Sequence, residues 1–372
     1  MFFYLTDSLI VESTEKEYAA IYNAVRNLAI ASENSYHMLL GTENVIEMLK
    51  GWFAQDPVLR PLVDDMANRY VYGVPSFLTY YVEVVRDNPK EMREENGCRI
   101  AQMRYTDFKE TKNVQSTLLI GEDDNDCQFF KFICDWYTRN TYPGVNYSLS
   151  NTNGGGSNTY REIEKALQNR QFSLTIVDTD IRYPSQRLDR ESTYGKCSKV
   201  KGQSELFKVL PLNVHEIENL IPKNYMLKLD AWDTEKLSRS KQNYESLVAE
   251  AETFLPYFDL KNGILLSKIR ENVKYAAFAK KCYLQNVSLC ANGLGFEDYC
   301  KKNDLEKGGK GNADSIVYRG MFSGIMARLL KKIKDGIIKE EPVLFVFQEN
   351  CWKEIAQEMI NWGCSRNKES LS

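Results

Sequence analysis

Apolar and polar positions along the chain divide it into three stretches of different rhythm. The opening run MFFYLTDSLIVEST is apolar, interrupted by Asp7 and Glu12, and reads as a buried strand. From residue 15 the apolar positions Tyr18, Ile21, Tyr22, Val25, Leu28 and Ala29 recur every three or four residues. That spacing predicts helix over 15–54, with a second helical stretch at 43–53. Gly73 and Pro75 break the pattern before PSFLTYYVEVVRD, and the polar DNPKEMREENGC at 87–98 reads as a loop. Residues 1–110 are therefore expected to form a mostly helical N-terminal domain.

From residue 114 strands and helices alternate. STLLIGE at 116–122 is a short apolar run ending in an acid, DCQFFKFICDWYTRN is an amphipathic helix, and GVNYSLSN suits a second strand. Gly154, Gly155 and Gly156 follow, then a helix over TYREIEKALQNR and the strand SLTIVDTD at 173–180. A βαβαβ order of this kind implies an α/β domain over 111–240, a parallel sheet flanked by helices with its ligand site beyond the carboxyl ends of the strands. ELFKVLPL and HEIENLIP come next. The remainder, 241–372, reads as a helical C-terminal domain, with strong stretches at 241–256, 265–285 and 320–338, a late strand at VLFVF and a closing helix over about 351–362.

Composition narrows the class. Hydrophobic residues are 43% and charged residues 27%, the balance of a soluble globular chain, and 372 residues suffice for two or three domains. The first residues lack the basic region and cleavage site of a signal peptide, and no stretch reaches the roughly 20 apolar residues of a membrane span. Nine cysteines without a C-x-x-C pair, and two histidines, argue against a zinc site and suit reduced thiols in the cytoplasm. The absence of G-x-x-x-x-G-K-[ST] disfavours an ATPase, and His37 and His215 have no serine or cysteine motif around them. Net charge is −3, so attraction to a polyanion must be local. One basic stretch, 181–208, holds Arg182, Arg187, Lys199 and Lys201; another, 301–339, holds ten Lys/Arg against four acids and reads equally well as a solvated face.

The chemistry-bearing residues are acids at strand ends. Glu122, Asp123, Asp124 and Asp126 follow the first strand of the α/β stretch; crowded carboxylates repel unless a divalent cation or solvent intervenes, although an N-cap for the next helix explains the cluster as well. Asp178 and Asp180 end SLTIV, and on an extended strand alternate residues share a face. If the two strands are parallel neighbours, Glu122 joins them, and three oxygen donors suit Mg2+ or Mn2+.

The order strand–Glu, glycine-rich turn, strand–Asp-x-Asp, carried by LLIGEDDND, GGGSNTYREIEKAL and LTIVDTDIR, resembles the Toprim domain of topoisomerases, bacterial primases and OLD-type nucleases. Glu122 and Asp126 fall on the acids of the family's Glu-Gly-x-x-Asp, with Asp123 in place of its glycine. HEIENLIP at 215–222 resembles an acid–Asn motif of defence-associated OLD-like nucleases, and YFDLKNGI at 257–264 is similar to a later stretch of theirs. The resemblance implies metal-dependent cleavage of phosphodiester bonds in DNA, tRNA or other RNA. Its metal ligands are Asp178 and Asp180, with Glu122 as ligand or proton-handling group, and Asp126 and Glu218 as further ligands. Arg182, Arg187, Lys199 and Lys201 are the candidates for contact with nucleic acid. The alternative for Glu218 is a buried acid that organises the sheet edge with Asn219, and for the arginines surface positions of a loop.

Stand-alone proteins of this type often serve as effectors of bacterial defence against phage, controlled by a separate ATPase, and a homo-oligomer is compatible with that role. Two other readings stay open: an inactive Toprim interaction or sensor protein, and an enzyme related to topoisomerases or primases.

Overall fold

In the computed structural model the described residues are 1–10, 14–202, 205–229, 244–245, 247–248, 252–265, 269, 272–285, 316–320 and 324–366. The opening apolar run forms strand β1 (Phe2–Leu5), with Phe2, Phe3 and Leu5 fully buried. Helix α1 (Glu15–Glu33) starts at Thr14, whose hydroxyl accepts the Glu17 N–H, and buries Ile21, Ala24, Val25 and Leu28 along one face. Strand β2 (Met38–Gly41) follows, then helices α2 (Glu43–Trp52) and α3 (Leu59–Arg69), strand β3 (Tyr80–Val85) and a hairpin of β4 (Arg93–Glu95) and β5 (Cys98–Arg104).

These strands form a five-stranded sheet in the order β2-β1-β3-β5-β4. β1 runs parallel to β2 and β3, β3 runs parallel to β5, and β4 alone is antiparallel. The N-terminal region is thus α/β and not the α-rich domain its helical spacing predicts. Two features hid the sheet. MLLG is only four residues long and sits between two helices, so a helical window runs across it. Asn96 and Gly97, with φ of 52° and 76°, make the tight β4–β5 turn inside a segment whose polarity reads as loop.

The α/β rhythm after residue 114 is realised. Strand β6 (Thr117–Gly121) leads to helix α4 (Asp124–Thr141), the short β7 (Asn146–Tyr147) and β8 (Leu149–Asn153), then helix α5 (Thr159–Gln168), β9 (Ser173–Val177) and, later, β10 (Phe207–Pro211). The order is β10-β9-β6-β8, with β6 parallel to β8 and to β9. The chain leaves β6 toward β8 and then returns across β6 to β9, so the direction of winding reverses between β6 and β9. Such a switch point opens a crevice beyond the carboxyl ends of the two strands.

The chain divides into two compact units, one of 1–177, 196–210 and 352–372 and the other of 178–195 and 211–351, and these do not follow the expected boundaries near 110 and 240. Within the first unit Phe3 meets Phe108, Phe172 and His37 at ring-centroid separations of 5.1–5.5 Å, joining the two sheets. VLFVF is not a strand: the last helix already begins at Val346 and runs to Gly363. The Gln348 side chain, which accepts the Phe345 N–H at 3.1 Å, supports that start. In the first unit this helix sets Trp352 edge-on to Phe129, Phe132 and Trp136. It also exchanges two hydrogen bonds with β3's entry, Thr79 N–H to Asn361 Oδ1 (3.0 Å) and Asn361 Nδ2 to Thr79 Oγ1 (2.8 Å).

In the second unit the expected helical stretches appear at Val273–Gln285 and Ile325–Lys334, and β11 (Gly263–Leu265) pairs with β12 (Ile316–Arg319). Most of 241–256 and of the basic stretch 301–339 up to residue 315 lies outside the described residues. No helix among the described residues is long and apolar enough to cross a membrane.

Trp352 is fully buried among three aromatic rings. Trp352→Ala is expected to lower stability by about 3–5 kcal/mol, read from urea unfolding followed by circular dichroism, because the cavity cannot close around rings held on a helix. A loss below about 1 kcal/mol would show that this helix contributes little to the first unit's core.

Candidate functional site

At the carboxyl end of β6 the acid cluster separates into distinct roles. Asp123 is the N-cap of α4: its Oδ1 accepts the N–H groups of Asn125 (2.6 Å) and Asp126 (3.1 Å), and Asp126 Oδ2 accepts the Asp123 N–H (3.0 Å). Asp124 accepts from Gln128 Nε2 (2.6 Å) and Asn151 Nδ2 (3.1 Å). The capping reading of the cluster therefore holds for Asp123 and Asp126. Carboxylates here also favour the positive end of the α4 dipole.

Glu122 is half-buried just before this cap, and the glycine triplet folds over it. Gly154 N–H donates to Gly121 O (2.9 Å) and Gly156 N–H to Glu122 O (3.1 Å). A Cβ on Gly154 would lie 2.5 Å from the Gly121 oxygen, and Gly155 and Gly156 have φ of 70° and 62°, so the turn requires glycine. Cys197 lies beside Glu122: burial first, and then the Glu122 charge, push its thiol up to about 12.

The acid pair does not sit on an extended strand as its alternation suggests. β9 ends at Val177, and Asp180 adopts φ of 55°. Alternate residues share a face only while both are extended, and the left-handed turn at Asp180 ends that relation; Asp is among the residues that tolerate it. Other bonds now hold the segment. The buried Thr179 hydroxyl lies 2.9 Å from Leu212 O and 2.8 Å from Val214 O, Asp180 N–H donates to His215 O (3.0 Å), and Asp178 Oδ1 accepts the Ile217 N–H (2.9 Å). Asp178 is half-buried and Asp180 exposed.

HEIENLIP and YFDLKNGI, separate in sequence, meet in the second unit. Asn219, 1% exposed, donates to Leu255 O (2.7 Å) and Phe258 O (2.8 Å). Glu216 Oε1 accepts the N–H groups of Leu260 (2.8 Å) and Lys261 (3.2 Å). Lys261 Nζ lies 3.2 Å from Glu216 Oε2 and 3.1 Å from Glu218 Oε2. Burial alone would lower the Lys261 pKa, but Glu218, Glu216 and Asp178 together outweigh it and raise it. Burial, followed by the Glu218 charge, pushes Glu216 up to about 7, against the pull of Lys261. His215 Nε2 lies 3.6 Å from Asp259 Oδ2. Burial lowers the His215 pKa, yet the Asp259 bond and the charges of Glu216 and Asp180 leave it raised; Asp259, raised by burial, is lowered overall by His215 and Asn262.

Ligand atoms of His215, Glu216 and Asp259 lie within 4.8 Å of one another, a spacing at which one metal ion can be held. In the structure Lys261 supplies positive charge to this cluster. The second unit thus brings Asp178, Asp180 and Glu218 together with His215, Glu216, Asp259 and Lys261, four residues that the sequence reading did not assign. Their signal was present, since YFDLKNGI stands out as a motif, but nothing local says which neighbour Lys261 meets. Glu218 and Asn219 are both buried, as the structural alternative for them requires. Arg182 is half-buried, with its N–H on Gln186 Oε1 (2.7 Å), and Arg187 is exposed. Lys199 and Lys201, in the first unit, are exposed.

Removing the ammonium leaves two buried carboxylates facing one another. Lys261→Met is expected to cost about 2 kcal/mol, below the usual loss for a broken buried pair because Lys261 is partly exposed. Adding Glu216→Gln should restore about half of it. Urea unfolding of both variants checks this; an additive second loss would show that Glu216 and Lys261 are not coupled.

Scans against protein-family models, curated proteins and solved structures give no match for this chain, so what the site does is argued from its own residues.

Proposed function

We propose that this chain is a magnesium-dependent nuclease that cleaves phosphodiester bonds in nucleic acid. The observation that carries the reading is the switch point of the second sheet. β6 and β9 are parallel neighbours, with Leu119 paired to Leu174 and Ile120 to Thr175, and each is followed at once by acid, Glu122 after β6 and Asp178-Thr179-Asp180 after β9. A sheet of this topology binds its ligand beyond those strand ends.

The donor chemistry fits the metal. Asp178, Asp180 and Glu218 offer carboxylate oxygens, which hard divalent cations prefer. Asp178 and Asp180 would hold Mg2+ or Mn2+, with Glu218 supporting them. Bound there, the metal supplies polarisation of the phosphate and stabilisation of its developing negative charge. Glu122 handles the proton of the attacking water or of the leaving oxygen. Its surroundings suit that task, because the glycine turn admits backbone close to the carboxylate and so shields it from bulk water. Asp126, committed to the cap of α4, supports the register of Glu122. Arg182 and Arg187 follow the acid pair directly and grip phosphate oxygens, with Lys199 and Lys201 extending the basic surface along the substrate. The likeness to OLD-like nucleases supports an effector role in cytoplasmic defence against phage, under the control of a separate ATPase. Cleavage of plasmid, single-stranded DNA and total tRNA, with and without Mg2+, tests the activity and sorts its substrates.

The geometry selects the variants. Asn keeps an acceptor for Ile217 N–H at 178 and tolerates the positive φ at 180, so Asp178→Asn and Asp180→Asn remove charge without removing structure. Each is expected to abolish Mg2+-dependent cleavage with a melting temperature within about 3 °C of wild type. Wild-type cleavage by both variants removes the acid pair from the site.

Glu122→Gln is expected to slow single-turnover cleavage about a hundredfold with substrate affinity unchanged. If the rate stays at the wild-type value and only thermal stability falls, Glu122 belongs to the helix cap and not to the chemistry.

A further inference from the structure

We infer that His215 is a positioning residue for the acid pair: its ring and backbone clamp the chain on both sides of Asp180 and thereby set the geometry of the metal ligands. The inference rests on the nuclease reading and adds to it a residue outside the Asp-x-Asp motif.

Two bonds make the clamp. The backbone oxygen of His215 accepts the Asp180 N–H at 3.0 Å, and ring Nδ1 lies 3.0 Å from the oxygen of Ile181, the next residue. A carbonyl oxygen only accepts, so Nδ1 carries the proton and donates it. Asp180, with φ of 55°, lies between these bonds, in a backbone conformation that is unfavourable for any residue with a side chain. Held on one side only, the segment would relax toward ordinary φ, and the carboxylates of Asp178 and Asp180 would diverge.

His215 is itself fixed. It is 3% exposed, its N–H donates to Pro256 O at 2.7 Å, and Nε2 faces Asp259 Oδ2 at 3.6 Å. Asp259 is anchored in turn by the Asn262 N–H (2.6 Å) and side chain (3.1 Å). The ring therefore cannot turn without breaking contacts at both nitrogens. Outer partners that orient metal-binding carboxylates commonly change metal affinity by about 10–100-fold when replaced.

Two amides separate positioning from mere packing. In His215→Asn the side-chain NH2 falls near the place of Nδ1 and can keep the bond to Ile181 O, whereas in His215→Gln it reaches the place of Nε2 and cannot. Both lose the ring and its packing. Mn2+ affinity, from electron paramagnetic titration of the full chain, and hydrogen exchange of the Asp180 amide without metal are measured on both. The expected result is that Asn binds Mn2+ within about threefold of wild type, while Gln binds at least about tenfold more weakly and exchanges the Asp180 amide faster. Equal affinities in Asn and Gln, or wild-type affinity and exchange in Gln, overturn the positioning role. Should the Gln variant not fold, Asp259→Asn takes its place: it keeps the acceptor for Asn262 and loses the charge that orients the ring. A loss of Mn2+ affinity of about threefold or more supports the clamp, and unchanged affinity overturns it. Absence of Mn2+ binding in the wild-type chain defeats the nuclease reading and the inference together, whereas wild-type binding that is lost in Asp178→Asn but not in His215→Gln defeats the inference alone.

Discussion

Parallel pairing is the constraint from which the candidate site follows. A hairpin alternates the direction of its strands and sends successive carboxyl ends to opposite edges of the sheet. Parallel neighbours send them all to one edge, at the cost of long crossovers, here built from α4 and α5. β6 has parallel partners on both sides, so whatever follows β6, β8 and β9 gathers along one rim. Glu122, the glycine turn and the acid pair are what follow them. The chemistry needs no unusual strand; it needs three ordinary strands to run the same way.

Charge at the Asn219 motif obeys a second economy. Glu216 and Glu218 are each about 5% exposed, and two carboxylates so deeply buried would repel strongly without a cation. The backbone amides of Leu260 and Lys261 and the Lys261 ammonium meet Glu216, and the same ammonium meets Glu218. One short loop therefore provides both the amide donors and the compensating charge. This explains why HEIENLIP and YFDLKNGI stand out together in the sequence although about forty residues separate them: each is half of one electrostatic unit.

Much of this arrangement is legible in the sequence. The strand–helix alternation after residue 114 gave β6, α4, β8, α5 and β9 in order, because each element carries enough residues to show its period. The N-terminal sheet was hidden because its strands depend on partners, not on length: MLLG acquires its conformation by pairing with β1, and Cys98–Arg104 by pairing with β3. The acid pair was found but its backbone was not, since no local rule forecasts that Asp180 turns left-handed to meet His215. For the same reason Lys261 and Asp259 were invisible as partners. A hydrogen bond across dozens of residues leaves no trace in spacing.

The first unit is closed by residues distant from its start. Thr79 and Asn361 are 282 positions apart, and between them the chain leaves this unit, builds most of the other and returns. During synthesis the β3 strand therefore waits, its entry residue unsatisfied, until residue 361 has emerged from the ribosome. Contacts of such high sequence separation form slowly, and a sheet that waits exposes apolar surface to other chains. Translation speed and chaperone supply, more than the intrinsic stability of either unit, should then govern how much of the protein reaches its native form in a cell.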